Sequence, residues 1–229
     1  MVYLTGDTHR DFDRFYRFCE MMDTKKNDIM IILGDAGINY FLDDRDDDFK
    51  AEISNFPLTF FCIHGNHEER PYLCKGYEEI YWGGATAYMD KRFPNQIFAK
   101  DGEIYTINGK ETLVIGGAYS VDKPWRIATG NKWFKSEQPD SEIKKRVEKN
   151  LNLTGWKVDT VLTHAAPVCY EPVHMFIKGL DQSKVDKTTE NWLQTIADRL
   201  EFKRWFFGHY HGEWQTGKFR MLYYDIIKF

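Results

Sequence analysis

Eight polar residues of this chain stand where apolar runs stop, and their types suit metal chemistry: Asp7, His9, Asp35, Asn66, His67, His164, His209 and His211. Carboxylates, an amide oxygen and imidazoles are the ligand set for divalent ions such as manganese, iron, nickel or zinc. Asp7-Thr8-His9 and His209-Tyr210-His211 are i, i+2 pairs. In extended backbone that spacing puts both side chains on one face, so each pair can grip one ion. Cysteine is missing from the set, which argues against a structural zinc site.

The elements that must position these residues are short. Ile29-Met30-Ile31-Ile32-Leu33 is five apolar residues in a row, too few for a helix, and reads as a strand buried on both faces. It stops at Gly34-Asp35, which puts a carboxylate on the rim beyond the strand end, where ligands of α/β sheets usually sit. By itself Asp35 is also ordinary turn chemistry. Four other apolar runs end in the same way, however: 2–5 before Gly6-Asp7, 57–63 before His64-Gly65-Asn66, 158–163 before His164, and 205–207 before Gly208-His209.

Between them, Phe12, Phe15, Tyr16, Cys19 and Met22 form the stripe of a helix with Asp11 at its N-cap. Residues 2–33 are thus expected to be a parallel, right-handed βαβ unit. The acids Asp43, Asp44, Asp46, Asp47 and Asp48 lack the spacing, the glycine and the closing glutamate of an EF-hand, and read as a solvated cluster leading into a helix near 47–54. Segments between 80 and 116 suggest an antiparallel meander, with Asn108-Gly109 as a hairpin turn. An irregular loop is expected over 117–139, a helix over 140–151, a second irregular stretch to about 187, a helix over 188–200 and a closing hairpin over 219–227. No repeat or linker interrupts 1–229, which reads as a single domain.

Taken in order, Gly6-Asp7-Thr8-His9, Gly34-Asp35, Gly65-Asn66-His67-Glu68, the lone His164 and Gly208-His209-Tyr210-His211 resemble the signature of the calcineurin-like metallophosphoesterase superfamily. The likeness spans residues 6 to 211, and five of the seven histidines fall on signature positions. His64 and His174 do not and read as structural, although His64, directly before Gly65, could flank a metal.

The resemblance implies an α/β fold, a four-layer sandwich of two mixed β-sheets flanked by helices. It implies two divalent transition-metal ions, manganese first among them, with iron, nickel or zinc as alternatives. Asp35 would bridge them, Asp7, His9 and His211 would complete one site, and Asn66, His164 and His209 the other. Such a pair clamps a phosphate and activates water for in-line attack. His67 would be the catalytic histidine. The chain also departs from the pattern. Arg10 stands where the first block commonly has Gly, and reads as topping the helix rather than reaching a phosphate. Ile38 stands where protein serine/threonine phosphatases have the Asp that orients the catalytic His. His64 replaces the Arg that those enzymes carry before Gly-Asn-His-Glu. Glu68 or a backbone carbonyl is then expected to orient His67. In the loop after Gly116-Gly117, Arg126 is the expected phosphate clamp, and Tyr119 and Trp125 are candidates to stack on a base or to pack.

The formal net charge of −4 and the absence of a basic stripe argue against long nucleic acid as a partner. Aromatic residues make up 16% and read as core. Cys19, Cys62, Cys74 and Cys169 show no paired spacing, and the first two read as reduced core residues. No run approaches the ~20 apolar residues that span a bilayer, and the first residues do not resemble a signal peptide. A cytoplasmic location is therefore expected. The expected activity is hydrolysis of phosphomonoesters or phosphodiesters in a phosphorylated small molecule, nucleotide or phosphopeptide. The competing readings are a non-catalytic metal-binding scaffold for a partner, and a nuclease.

Overall fold

The structure, a computed structural model, describes residues 1–179 and 181–229. The opening βαβ unit forms as the sequence suggests: β1 (Val2–Thr5), α1 (Asp13–Met22) and β2 (Ile29–Ile32), with β1 and β2 parallel. Asp11 accepts a hydrogen bond from the Asp13 N–H, one residue short of the assigned cap, Phe12. Phe12, Phe15 and Cys19 are buried, whereas Tyr16 and Met22 are exposed, so the apolar stripe is narrower than its spacing suggested. Asp43 caps α2 (Asp44–Ile53) through its side chain, and β3 (Thr59–Cys62) follows, parallel to β2. The acidic cluster is not wholly solvated. Asp46 is buried, pairs with Arg10 at 2.7 Å and accepts the Leu42 N–H.

The middle third is antiparallel in part only. Strands β4 (Tyr77–Trp82), β5 (Ala85–Asp90) and β6 (Gln96–Ala99) pair antiparallel, but β6 then joins β3 in parallel. The next hairpin, β7 (Ile104–Ile107) and β8 (Lys110–Ile115), belongs to a second sheet. Asn108 and Gly109 turn it with φ of 50° and 74°, the positive values this tight turn demands. The expected loop 117–139 contains a short helix, α3 (Lys123–Thr129). Asp140 caps α4 (Ser141–Leu153), followed by β9 (Thr160–Thr163), three single 3-10 turns, α5 (Thr188–Ala197) and β10 (Arg204–Phe207). The closing hairpin is β11 (Trp214–Thr216) with β12 (Phe219–Met221) rather than 219–227, because β13 (Ile227–Lys228) crosses to pair with β1.

The first sheet runs β13-β1-β2-β3-β6-β5-β4 and the second β11-β12-β10-β9-β8-β7. Val2, Leu4, Ile31 and Phe61 of the first meet Tyr105, Val114, Leu162 and Phe206 of the second in one buried cluster, so the sheets pack face to face. The outer face of the first sheet is covered by α1 and α2 through Phe12, Phe15, Phe49 and Phe60; the outer face of the second by α4 and α5 through Val147, Leu151, Leu193 and Ile196. Each such side chain contributes about 1.5–3 kcal/mol when fully buried. This is the four-layer α/β arrangement that the motifs implied.

Register is what positions the site. Thr5, Ile32 and Cys62 are aligned partners at the ends of β1, β2 and β3, and Ile115, Thr163 and Phe207 at the ends of β8, β9 and β10. Every polar block therefore begins at the same end of its sheet.

Candidate metal centre

The two rims meet through close packing. His164 Nδ1 lies 2.8 Å from the Leu33 carbonyl, across the gap between the sheets. A Cβ on Gly34 would stand 2.0 Å from that imidazole, and one on Gly65 only 1.9 Å from Asp35 Oδ1. Both glycines are needed because a site residue occupies the space of a side chain.

The turns themselves are strained. His9, Asp35, His209 and His211 have φ of 47°, 49°, 70° and 50°, left-handed values that cost a non-glycine residue of order 1–3 kcal/mol each. Neighbouring bonds stabilise them: the Thr8 and His9 N–H groups donate to the Asp35 carbonyl at 3.2 and 2.8 Å. The His67 N–H donates to Asp35 Oδ1 at 2.8 Å, and the His209 N–H to Asp7 Oδ1 at 2.9 Å. Arg10 reinforces the same turn, donating to the Gly37 carbonyl at 2.9 Å and to Asp46, over the ring of Phe49. It neither tops α1 nor faces the site.

Two groups of donors result. Asp7, His9 and His211 form one, and Asp7, Asp35 and His164 the other. Nε2 of His9 and Nε2 of His211 are 2.8 Å apart, at 3.7 and 3.4 Å from Asp7 Oδ2. Asp35 Oδ2 lies 3.9 Å from His9 Nε2 and 3.6 Å from His164 Nε2, between the groups. Ligand atoms each about 2.0–2.2 Å from a shared ion stand roughly 3–4 Å from one another. Asp7 Oδ2 is buried and has no hydrogen-bond partner among the described residues, a costly state for a carboxylate without a cation.

His164 makes the same point. With Nδ1 donating to the Leu33 carbonyl, the neutral ring points the Nε2 lone pair at Asn66 Oδ1, 2.8 Å away. Two lone pairs at that distance repel, so a proton or a cation must sit between them. Burial disfavours the charged ring, but Asp35 and then Asp7 outweigh it and bring His164 up to about 9. The same attraction from His164 overcomes burial at Asp35, which is well below the usual carboxylate range, and also lowers Asp7. A divalent cation would replace the proton on His164. The residues fit two ions.

The i, i+2 pairs do not act through extended backbone, contrary to expectation. Neither His9 nor the two later histidines is extended. His211 goes to the Asp7 group, while the ring of His209 lies 5.0 Å from that of His164. The left-handed turns, not extended backbone, divide the pair. Burial keeps His209 neutral, down to about 3.

His67 is half-buried, its ring centroid 5.6 Å from that of His9. Burial first, and then the charge of Arg126, lower its pKa against the opposing pull of Asp35. Glu68 does not orient it, contrary to expectation. Its two oxygens accept from the Gly65 and Gly37 N–H groups at 3.1 and 3.0 Å, tying two site turns together. Burial pushes Glu68 up to about 8. Ile38 is buried in the core against α1 and α2 and leaves no carboxylate at that position. Asn66 is oriented by its bond to Ser120 Oγ at 2.9 Å, and the Ser120 N–H donates to Glu137. His64 is buried, and neither ring nitrogen finds a partner among the described residues. His174 lies beside Trp214.

Arg126 is on α3, with Nε donating to Asp122 at 2.7 Å and Nη1 to the Lys132 carbonyl at 3.1 Å. It does not line the cavity of about 430 Å³ that opens on Asp35, Asn66, His67, His209 and His211. That cavity is walled instead by Tyr119, Met175, Phe176, Ile177 and Val185. Apart from Tyr119, the sequence offered no signal for this wall, because these residues lie in 3-10 turns and connections without periodicity. Trp125 is exposed.

Among the described residues no helix is long and apolar enough to cross a membrane. No curated protein sequence matches the chain significantly. Solved structures do: TT1561 of Thermus thermophilus is 13% identical with a TM-score of 0.51, over 97% of this chain and 87% of that one. Another crystal structure is also 13% identical, with a TM-score of 0.52, over 96% and 88%. At such identity the likeness is one of fold. The family profile of the calcineurin-like phosphoesterases matches residues 1–213. The chain belongs to the calcineurin-like phosphoesterase family.

Proposed function

We propose that the protein hydrolyses phosphomonoesters or phosphodiesters with two divalent transition-metal ions, manganese first among them. Asp7, His9, Asp35, Asn66, His164, His209 and His211 would hold the ions. The observation that carries the reading is Asp35 Oδ2, within 4 Å of both His9 Nε2 and His164 Nε2, a position from which one carboxylate would reach an ion on either side. When bound, two such ions neutralise charge on the phosphoryl oxygens and lower the pKa of water to near neutrality.

The protein side chains do the rest. His67 lines the cavity beside the donors, placed to give a proton to the leaving oxygen or to stabilise its charge; burial lowers its pKa against the opposing pull of Asp35. Arg126 stands outside the cavity lining, but its charge reaches His67, and it is the proposed phosphate clamp through Nη2, which has no hydrogen-bond partner among the described residues. The substrate is a phosphorylated small molecule, a nucleotide or a phosphopeptide.

The test is release of p-nitrophenol from p-nitrophenyl phosphate and from bis-p-nitrophenyl phosphate, with manganese supplied. Asp35→Asn should reduce turnover at least ~10²-fold and lower the number of bound ions, while circular dichroism shows the fold intact. A protein that binds two ions yet releases nothing from either ester, nor phosphate from nucleotides or phosphopeptides, is not this enzyme.

A further inference from the structure

One buried carboxyl group in the cavity has no part in the chemistry above. Glu190, in the first turn of α5, is 2% exposed, and it lines the same cavity as Asp35 and His67. Its Oε2 is buried and has no hydrogen-bond partner among the described residues. The nearby cation is already engaged: Lys187 Nζ lies 2.5 Å from Glu171 Oε1, which also accepts from the Tyr210 hydroxyl at 3.3 Å. The same cavity is walled by Tyr119, Met175, Phe176, Ile177 and Val185, while Glu171, Lys187 and Asp186 are the charged groups that act on Glu190. The ring of Phe176 is nearly parallel to that of Tyr210, with centroids 6.0 Å apart.

An acceptor left unpaired against apolar side chains is unfavourable, and a ligand that donates to it removes that cost. A ligand of the same shape without the donor leaves the cost in place, so such sites discriminate strongly. We propose that the cavity wall binds the organic group of the phosphoester substrate, and that Glu190 selects one that is largely apolar and carries an N–H donor. Burial raises Glu190 to about 7, where both its ionised and its protonated form are present near neutral pH. An amine suits the ionised form, and the aromatic and thioether lining suits a flat or aliphatic body. The inference rests on the hydrolase reading for where the phosphate goes.

Two matched pairs of probes separate the sources of the donor. Adenosine 5′-monophosphate and purine riboside 5′-monophosphate differ by an exocyclic amine; 4-(aminomethyl)phenyl phosphate and 4-ethylphenyl phosphate differ by a terminal amine. Calorimetric titration of the manganese-loaded protein should show the amine-bearing member of one pair binding at least about tenfold more tightly. Preference in the first pair identifies a nucleobase amine, and in the second an alkyl ammonium. Glu190→Leu should bring that ratio below about twofold by removing the acceptor. If Glu190→Leu does not fold, Glu190→Gln serves: it keeps the shape but loses the charge, and should weaken the preference several-fold. Ratios below twofold for both pairs in the unaltered protein, or a preference that survives both substitutions, overturn the proposal. Phosphate release is followed in parallel. Discrimination without hydrolysis sinks the hydrolase reading and leaves the binding site, whereas hydrolysis without discrimination sinks the binding site alone.

Discussion

The metal-side rim and the apolar wall enclose one cavity and are built by different physics. The rim sits at aligned strand ends, where ladder hydrogen bonds set the backbone and neighbouring atoms leave no room: Asp35 is 1% exposed and fills the space a Gly65 side chain would need. The wall comes from 3-10 turns and connections over 167–179 and 181–187 and from the loop before α3, and Ile177 within it is 68% exposed. Substitution on the rim displaces backbone and donors together. Substitution on the wall changes one lining side chain. Under the proposed function, a fold organised in this way would fix its reaction on one side and its choice of substrate on the other.

The largest effect expected sharpens that division. His67→Ala should lower kcat by about 10²–10⁴ with little change in KM and no loss of bound metal, since its ring is not placed among the donors. A parallel fall in metal content would show that His67 belongs to the ligand set instead. Next is the packing of the rim. Gly65→Ala should destabilise the protein by about 1–3 kcal/mol and weaken manganese binding about 10–100-fold by displacing Asp35. Thermal unfolding and metal titration read the two effects. Unchanged metal affinity would mean that the rim tolerates displacement as the wall does.

The smallest effect distinguishes the two sides by pH. Glu190 on the wall is raised to about 7 and Glu68 on the rim to about 8, above the ~4.3 of an unfolded glutamate. A raised carboxyl contributes stability below its unfolded value and loses that contribution as pH rises through its folded value. In the metal-free protein the two glutamates together should therefore contribute a fall in stability from about pH 4.5 to about 8, set against the opposite contribution below about 6.5 of His209, which burial holds down to about 3. Glu190→Gln should flatten the part below about 7, and manganese, which favours ionised Glu68, should flatten the remainder. Urea unfolding at several pH values measures both. A slope insensitive to Glu190→Gln would remove Glu190 as a titrating group of the wall.

Much of the rim was legible because each block is local. An apolar run, a turn and a polar residue are written within ten positions, as at Ile29 to Asp35, and the strand ends fell within one or two residues of those expected. What was misread depended on distant partners. Arg10 found Asp46 and the Gly37 carbonyl, and Glu68 found two backbone N–H groups, because those turns lie beside each other only in the folded chain. The meander could not be divided between sheets from its pattern, since β6 and β7 are both four-residue runs and their sheets are set by the neighbours they find in the folded chain. Likewise β13 pairs with β1, more than 200 residues away in sequence. The apolar residues of the wall, in 3-10 turns and connections, had no period and no motif to reveal them.

The sequence by itself determined the kinds of donor, their order and their places at the ends of buried strands. These follow from apolar runs that must be buried and from turns that follow them. The tertiary structure decided which donors meet. His209 and His211 are two residues apart, yet the first lies beside His164 and the second beside His9, while Asp7 and His211 are far apart in sequence and stand in one group. The cause is physical: left-handed turns reverse the side-chain direction that an extended strand would impose, and face-to-face packing brings His164 against Leu33. Asp7 belongs to both groups, and Asp35 Oδ2 lies within 4 Å of a histidine of each, only because both rims close on them.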